Sequence, residues 1–315
     1  MTPMTPSTPS TPSTPSTPST PSTPSAPSTV TFVGIGAIGL PMAARIAAAG
    51  HHVTGVDPAP GAADRARAAG LAGAVGSVEQ APDAPVTVVM VATPDQLAAL
   101  VDTALDARPD QAGRHWVIMS TVGPDAVRSE GGRLAKAGAQ VVDAPVTGGV
   151  ARARTGELTI FAAGDTADVV TVTPVLDACG TVRPVGDRLG EGQAIKVVNQ
   201  HLCSVHIVAA AEALNLAGTL GLDRAKVLGL IETGAAGSFM LSDRGPRMLE
   251  GTDTEVTSTV SIFVKDSGLV AEAARSAGAD TPLLDLSRDR YLAAAERGLA
   301  ARDDSRVIET YQQTP

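Results

Sequence analysis

The stretch Thr31–Pro58, TFVGIGAIGLPMAARIAAAGHHVTGVDP, determines how the first half of the chain folds. A short apolar run leads into a turn that contains three regularly spaced glycines, Gly34, Gly36 and Gly39. An Ala-rich segment with helical periodicity follows, and then a second apolar run, His52–Val56, ends at Asp57. This pattern predicts a strand, a glycine turn, a helix and a strand with an acid at its tip.

Each glycine has a physical role if the turn binds a dinucleotide. Gly34 permits the tight turn, Gly36 lets a pyrophosphate approach the backbone, and Gly39 lets the helix pack close to the strand. The N–H groups at the helix start and the helix dipole both favour phosphate. The predicted cofactor-binding loop consists of Gly34, Ile35, Gly36, Ala37, Ile38 and Gly39. The alternative is a glycine turn in some other α/β protein.

In this interpretation, Asp57 determines whether the cofactor is NAD or NADP. It lies about 20 residues beyond the glycines, where a carboxylate accepts hydrogen bonds from the adenosine ribose hydroxyls. The same carboxylate repels a 2′-phosphate. The sequence therefore predicts NAD as the cofactor, in preference to NADP.

Composition limits the classes of function. The chain has 315 residues, enough for about two domains, and a net charge of −9 without a basic run, which argues against nucleic acid as a partner. No apolar run approaches the roughly 20 residues that span a bilayer, so no membrane segment is predicted. The two cysteines form no framework of disulfides, and no cluster of metal-ligand residues occurs, so no metal is expected. A reducing cytoplasm fits best.

The chain divides into three parts. Residues 1–28 form a Thr-Pro-Ser repeat, which predicts a disordered or polyproline-like tail, with a docking ligand for another protein as the alternative. Residues 29–189 alternate strands and helices and predict a Rossmann-type, doubly wound parallel sheet with helices on both faces. Residues 190–315 predict an all-helical domain for substrate binding and oligomerisation. The fold class is thus α/β followed by all-α.

The predicted elements place polar residues where ligands bind in such folds. The predicted strands are Thr31–Val33, His52–Val56, Pro85–Ala92, His115–Met119, Gln140–Asp143, Leu158–Ala163 and Val182–Val185. The predicted helices are Asp95–Leu105, Pro124–Ala137, Gln193–Thr219, Asp223–Thr233 (with Asp223 as N-cap), Ile262–Gly278, Pro282–Arg297 and a last one from about Asp304. Asp57, Thr93, Thr121 and Thr147 fall at or just after strand ends, where ligands are expected.

Lys196, Asn199 and Gln200 are spaced so that they share one face of the first long helix. A partly desolvated lysine beside a cleft has a lowered pKa and can take the proton from an alcohol as hydride leaves its carbon. The alternative is a solvated lysine on a surface helix.

Two further segments are candidates for binding. Thr147, Gly148 and Gly149 follow a strand, and their hydroxyl and backbone N–H groups could hold a carboxylate or form an ordinary turn. Lys265 could reach the cofactor or the substrate, or could be solvated.

Four motifs in order resemble those of the β-hydroxyacid (3-hydroxyisobutyrate-type) dehydrogenase family over about Val30–Tyr311. These are FVGIGAIGLPMAARI, DAPVTGGVARARTGELTI, GEGQAIKVVNQ and FVKD. Within the family, KVVNQHL, VHIVAAAEALNLA, IFVKD and ARDDSRVIETY are most similar to the L-threonate dehydrogenase branch.

The resemblance implies a role for each candidate. Lys196 would be the general acid/base, Thr147 with Gly148 and Gly149 would bind the substrate carboxylate, and Asn199 with Gln200 would hold the hydroxyls. Thr121 and Lys265 would line the nicotinamide end of the cleft. It also implies a small hydroxy acid as substrate and a homo-oligomer, either a dimer or a tetramer.

Two departures from the family pattern affect substrate choice more than reaction class. Thr147 stands where the family usually has Ser, and Gln200 occupies the position where many relatives carry Asn. The alternatives are a 3-hydroxyisobutyrate or 2-hydroxy-3-oxopropionate (tartronate semialdehyde) enzyme of the same family, and a non-catalytic NAD-binding protein.

Overall fold

A nine-stranded sheet forms the N-terminal half of the protein in the computed structural model, which describes residues 28–251 and 254–311. The strands are β1 (Thr29–Val33), β2 (His52–Val56), β3 (Gly73–Val75), β4 (Val86–Val89), β5 (His115–Ile118), β6 (Gln140–Asp143), β7 (Val146–Thr147), β8 (Leu158–Ala163) and β9 (Gly180–Gly186). The predicted tail lies outside the described residues except for Ser28, whose backbone N–H donates to His51 Nδ1 at 3.2 Å.

The first six strands are all parallel and lie in the order β3-β2-β1-β4-β5-β6. The order reverses direction at β1, so the ends of β1 and β4 flank a crevice of the kind that binds dinucleotides. The predicted α/β fold class with a doubly wound sheet is confirmed.

The prediction of a wholly parallel sheet is wrong for β8 and β9, which run opposite to the first six strands. β8 runs antiparallel to both β6 and β7, and β9 is parallel to β8. The chain leaves β6 through β7 and a seven-residue helix that stays at the carboxyl end of the sheet. Because a parallel return needs a crossover to the opposite end, β8 can only run back in the reverse direction.

Eleven α-helices accompany the sheet within the described residues. They are α1 (Gly39–Ala48), α2 (Ala62–Ala68), α3 (Pro94–Ala107), α4 (Pro124–Lys136), α5 (Gly149–Thr155), α6 (Thr166–Leu176), α7 (Glu191–Thr219), α8 (Arg224–Ile231), α9 (Phe239–Leu249), α10 (Val260–Ala277) and α11 (Pro282–Ala294). Asp223 caps α8 by accepting from two backbone N–H groups, which confirms its predicted role.

Two apolar cores cover the two faces of the sheet. Side chains from α1, α2 and α6 pack on one face with Phe32 and Val88, whereas α3 and α4 pack on the other with Val33 and Val89. The alternation of β1 and β4 residues between the two cores follows from the period of two in a strand. Burial on both faces explains why these strands are almost continuously apolar in the sequence.

The helical half packs around α7. A third core joins α7 to the four helices that follow it. Tyr291 on α11 is fully buried, stacks on the Phe263 ring of α10 at 5.2 Å between centroids, and donates its hydroxyl to the Ser204 carbonyl of α7 at 2.9 Å. The carbonyl therefore gains a partner outside its own helix, and three helices meet at one aromatic pair.

The C-terminal segment differs from the predicted final helix. Asp304–Tyr311 is a 3₁₀-helix, and α11 ends at Ala294 in a π-turn that includes Gly298 at φ +82°. Buried ion pairs hold the segment, because Arg244 pairs with Asp304 at 2.9 Å and Arg247 pairs with Asp303 at 2.8 Å.

Candidate active site

The glycine turn after β1 leaves room for a phosphate. Gly34 has φ +88°, and a Cβ there would lie 2.4 Å from the Met90 carbonyl oxygen. A Cβ on Gly39 would lie 1.9 Å from the Gly34 carbonyl oxygen, so no larger residue fits where α1 starts. By contrast, a Cβ on Gly36 would meet no atom within 4 Å. The space over Gly36 thus fits the approach of a pyrophosphate to backbone N–H groups.

Asp57 lies at the tip of β2 and faces this turn. Its Oδ2 accepts from the Ile35 backbone N–H at 3.1 Å, and its Oδ1 accepts from the Ala59 N–H at 2.9 Å. Each carboxylate oxygen can accept a second bond. Asp57 therefore fixes the loop and retains the capacity to accept from ribose hydroxyls.

Lys196 is buried in the first half of α7, with 7% of its surface exposed. Its Nζ donates to Gln200 Oε1 at 2.7 Å, one helical turn further on. Asn199 Nδ2 donates to the same oxygen at 2.8 Å and also to Cys203 Sγ at 3.4 Å. The three predicted residues of this helix face thus form one hydrogen-bonded group.

A carboxylate from α10 completes this group. Gln200 Nε2 donates to Asp266 Oδ2, which orients the Gln200 amide so that its oxygen faces the lysine. Asp266 is itself buried. The Gln200 amide at the position where many relatives have Asn therefore links the amine of Lys196 to a second helix.

Lys265 joins the helical half to the sheet. Its Nζ donates to the Thr121 carbonyl at 2.8 Å, in the loop that follows β5. It also lies 2.7 Å from Asp266 Oδ1, as an ion pair without the alignment of a hydrogen bond. Two predicted residues that are 144 positions apart are thus in direct contact.

The charge of Lys196 is set by opposing influences. Burial is the largest and lowers the pKa of the Lys196 amine below its ordinary value. The negative charge of Asp266 raises this pKa, and the positive charge of Lys265 lowers it further. A neutral amine is the form that can accept a proton, and burial favours this form of Lys196.

The start of α7 is anchored to the carboxyl ends of two strands. Asp143, at the end of β6, is fully buried and accepts from the backbone N–H groups of Gly190 at 3.0 Å and Gln193 at 2.9 Å. Desolvation by burial raises the pKa of Asp143 to about 6. A Cβ on Gly192 would lie 2.6 Å from the Phe161 carbonyl oxygen, so this glycine accommodates a close approach of protein backbone.

The segment Thr147-Gly148-Gly149 joins the end of β7 to the start of α5 and begins four residues after Asp143. Thr147 pairs with Thr159 of β8, and Gly148 and Gly149 have φ values of +135° and +70°. The stem of Arg152 packs against Gly148, and its guanidinium carbon lies 5.3 Å from the ring centroid of Phe239 at the start of α9. This contact crosses from the sheet half to the helical half beside the segment.

Sequence reasoning missed three buried polar residues of this region, namely Asp143, Gln193 and Asp266. Asp143 and Gln193 stand inside the motifs DAPVTGG and GEGQAIK, and Asp266 follows Lys265 directly. The signal that could have identified them is the presence of charged or amide side chains within these motifs.

Comparison with known families covers almost the whole described chain. Residues 29–196 match the family described as the NAD binding domain of 6-phosphogluconate dehydrogenase. Residues 190–311 match the family described as NAD-binding of NADP-dependent 3-hydroxyisobutyrate dehydrogenase.

Three relatives illustrate the similarity. The L-threonate dehydrogenase of Cupriavidus necator is 34% identical over 89% of this chain and 94% of its own. The 2-hydroxy-3-oxopropionate reductase of Escherichia coli is 29% identical over 89% of this chain and 96% of its own. A crystal structure of 3-hydroxyisobutyrate dehydrogenase from Salmonella typhimurium is 32% identical, with a TM-score of 0.82 over 90% of this chain and 99% of that one.

Proposed function

The chain belongs to the 3-hydroxyisobutyrate dehydrogenase family and is therefore a hydroxyacid dehydrogenase that uses a nicotinamide dinucleotide, and we propose that it oxidises L-threonate with NAD. The buried amine of Lys196 carries this proposal, because burial lowers its pKa and so favours the neutral form that can take a proton. The similarity to L-threonate dehydrogenases selects the substrate.

The dinucleotide would be held by the loop from Gly34 to Gly39 and by Asp57, with Thr121 and Lys265 at its nicotinamide end. When bound, it supplies the acceptor for the hydride that leaves the hydroxyl-bearing carbon. Lys196 takes the proton of that hydroxyl. Because Gln200 Oε1 accepts from Lys196 Nζ, one donor position of the amine is occupied, and its lone pair would remain for the proton of the substrate hydroxyl.

The substrate would be held at both ends. Thr147, Gly148 and Gly149 would bind the carboxylate through one hydroxyl and the backbone N–H groups. Asn199 uses both N–H groups within the protein, so it can offer its Oδ1 to a substrate hydroxyl. Gln200 has one N–H group left for a second hydroxyl. These two amides favour a polyhydroxylated acid over an apolar one.

The test is a panel of four-carbon sugar acids, 3-hydroxyisobutyrate and 2-hydroxy-3-oxopropionate, with the absorbance of NADH as readout. We expect L-threonate to have the highest kcat/KM. A higher value for 3-hydroxyisobutyrate or the semialdehyde would replace this substrate with the family alternative. Tight NAD binding without turnover of any compound would support a non-catalytic NAD-binding protein.

The lysine is tested by Lys196→Ala, with the exposed Lys136→Ala on α4 as the matched control. We expect kcat to fall by about 10²–10⁴-fold in the first variant, as is usual on loss of a general base, and to stay unchanged in the second. Retention of more than about a tenth of wild-type turnover would remove Lys196 from this role.

A homo-oligomer is supported by an exposed apolar stripe on α7. Its members are Ile195, Val198, Leu202, Leu216 and Leu220, between 43% and 66% exposed. Ile195, Leu202 and Leu216 are separated by multiples of seven residues, so they share one helix face over about 30 Å. α7 is long and apolar enough to span a membrane, but 44% of its most apolar window is buried inside the fold. We assign the stripe to a second copy of this chain, and the enzyme to the cytoplasm.

A further inference from the structure

The side-chain amide of Gln193 makes four hydrogen bonds to other parts of the protein. It lies on the first turn of α7, is 0% exposed, and is three residues before Lys196. Its Oε1 accepts from the backbone N–H groups of Val122 and Gly123, both at 3.1 Å. Its Nε2 donates to the Ser120 carbonyl at 2.9 Å and to Asp143 Oδ1 at 3.0 Å. The amide thus has all four of its hydrogen-bonding positions occupied.

These bonds form one assembly, which we call the Gln193 clasp. It consists of the Gln193 amide, the Asp143 carboxylate and the backbone of Ser120, Val122 and Gly123. The second carboxylate oxygen of Asp143 accepts from the Gly190 and Gln193 N–H groups. The first turn of α7 is therefore attached at once to the ends of β5 and β6.

The clasp surrounds the residue that faces the nicotinamide end in the proposed function. Ser120 and the pair Val122 and Gly123 stand immediately before and after Thr121, and the Thr121 carbonyl accepts from Lys265. Lys196 lies about 4.5 Å further along the axis of the same helix as Gln193. A single side chain therefore connects the loop of Thr121 to the helix turn of Lys196.

We propose that Gln193 is a positioning residue, which fixes the distance between the amine of Lys196 and the Thr121 segment through its bonds to Ser120, Val122, Gly123 and Asp143. The inference rests on the proposed role of Lys196 but not on the identity of the hydroxy acid. Misplacement of reacting groups by about 1 Å costs about 10²-fold in rate. Loss of the clasp should consequently lower kcat much more than it raises KM.

Two single variants break the clasp in opposite senses. Gln193→Glu places a carboxylate oxygen against Asp143 Oδ1, so two acceptors face each other. In Asp143→Asn the amide oxygen takes the position of Oδ2, where the Gly190 and Gln193 backbone N–H groups donate, so its N–H group lies against Gln193 Nε2 and two donors face each other. The double variant restores a donor opposite an acceptor between positions 143 and 193, and only its contact with the Ser120 carbonyl stays unpaired. Glu191→Gln, on the same helix turn but paired with Arg188 outside the clasp, is the matched control.

The measurement is kcat and KM with the best substrate of the wild type, together with the isotope effect for substrate deuterated at the reacting carbon. All rates are divided by the folded fraction from circular dichroism. We expect kcat of each single variant to fall about 10²-fold with KM for NAD changed less than threefold, and the isotope effect on kcat to rise. We expect the double variant to recover at least tenfold in kcat, and Glu191→Gln to match the wild type.

Three results would overturn the positioning role. They are a corrected kcat of Gln193→Glu within threefold of wild type, a double variant no faster than the better single variant, and a rise in KM with unchanged kcat. If neither single variant folds, Gln193→Met keeps the volume without opposing like groups, and the same thresholds apply to it. Wild-type enzyme that oxidises no hydroxy acid would instead contradict the proposed function.

Discussion

At the residue scale, the surroundings of Lys196 determine the pKa of its amine. Burial lowers the pKa of its amine, whereas the charge of Asp266, which reaches it through Gln200, raises that pKa. The two influences oppose each other, so the working pKa depends on Asp266 as well as on desolvation.

Asp266→Asn is expected to shift the acid limb of the kcat/KM profile to lower pH. Asn can still accept from Gln200 Nε2, so the geometry is kept while the negative charge is removed. Without that charge the protonated amine is less favoured, and Lys196 stays neutral to lower pH. The profile of kcat/KM against pH with saturating NAD measures the shift.

The control for this experiment is Asp285→Asn on α11, which removes the same charge at an exposed site. Its profile should coincide with that of the wild type. A shift to higher pH in Asp266→Asn, or an equal shift in both variants, would contradict the coupling.

Asp57 is expected to control the choice between NAD and NADP. Asp57→Asn removes the charge that repels a 2′-phosphate, and its remaining carbonyl oxygen can accept from Ile35 or Ala59 but not from both in the present geometry. The ratio of kcat/KM for NADP to that for NAD should rise at least tenfold, measured by initial rates with each cofactor. Asp64→Asn, on the exposed side of α2, should leave the ratio unchanged.

At the scale of elements, the two faces of α7 have different roles. One face carries the buried side chains of Gln193, Lys196 and Gln200, and the other carries the apolar stripe. The stripe begins at Ile195, next to Lys196, so a second copy packed on it would also shield this end of the crevice from water.

Leu216→Glu with Leu220→Glu is expected to convert the oligomer to a smaller species. Two charges in an apolar interface between helices are desolvated without partners, which is strongly unfavourable. Both residues lie far along α7 from Lys196, so folding of the subunit should persist. Light scattering coupled to size-exclusion chromatography gives the mass.

Val170→Glu, on α6 and 65% exposed, is the control for this pair because it lies outside the stripe. It should keep the wild-type mass. A wild-type enzyme that is already a monomer at micromolar concentration would reject the interface.

The elements predicted most accurately are those whose apolar residues follow a single strong periodicity. β1, β2 and α7 follow continuous apolar runs or helical spacing, and their bounds agree closely with the structure. The missed helices α6 and α9 contain Pro174 and Pro246 within them, and tertiary packing tolerates both residues. Gly245 of α9 packs so tightly that a Cβ would lie 2.7 Å from a Leu228 methyl group, a contact no local pattern reveals.

The group around Lys196 was predictable in its shared helix face but not in its connections to other elements. Spacing places Lys196, Asn199 and Gln200 on one face, because that depends only on helix geometry. The contacts from Gln200 to Asp266 and from Lys265 to Thr121 join segments 66 and 144 residues apart. Such contacts depend on how the two halves pack, and this packing cannot be read from a single sequence.

At the scale of the whole molecule, α7 packs against both the sheet and the other helices of the C-terminal half. The stabilities of the two halves are therefore coupled. Asp143 ties the sheet to this helix with a buried carboxylate whose pKa is raised to about 6. Its ordinary pKa of 3.8 applies in the unfolded chain. Between these values the folded protein binds more protons, so this group favours folding at low pH and loses that contribution as pH rises through about 6.

We expect the free energy of unfolding of the wild type, minus that of Asp143→Asn, to fall by about 2 kcal/mol between pH 4 and pH 7, since one pKa unit corresponds to about 1.4 kcal/mol. Subtraction removes the titration of the other carboxyls. Denaturant titrations at several pH values give the difference, and the same subtraction with Asp285→Asn should be flat. Because Asp143, at the end of β6, accepts from Gly190 and Gln193, a difference that rose with pH would mean that these donors favour its charged form more than burial disfavours it.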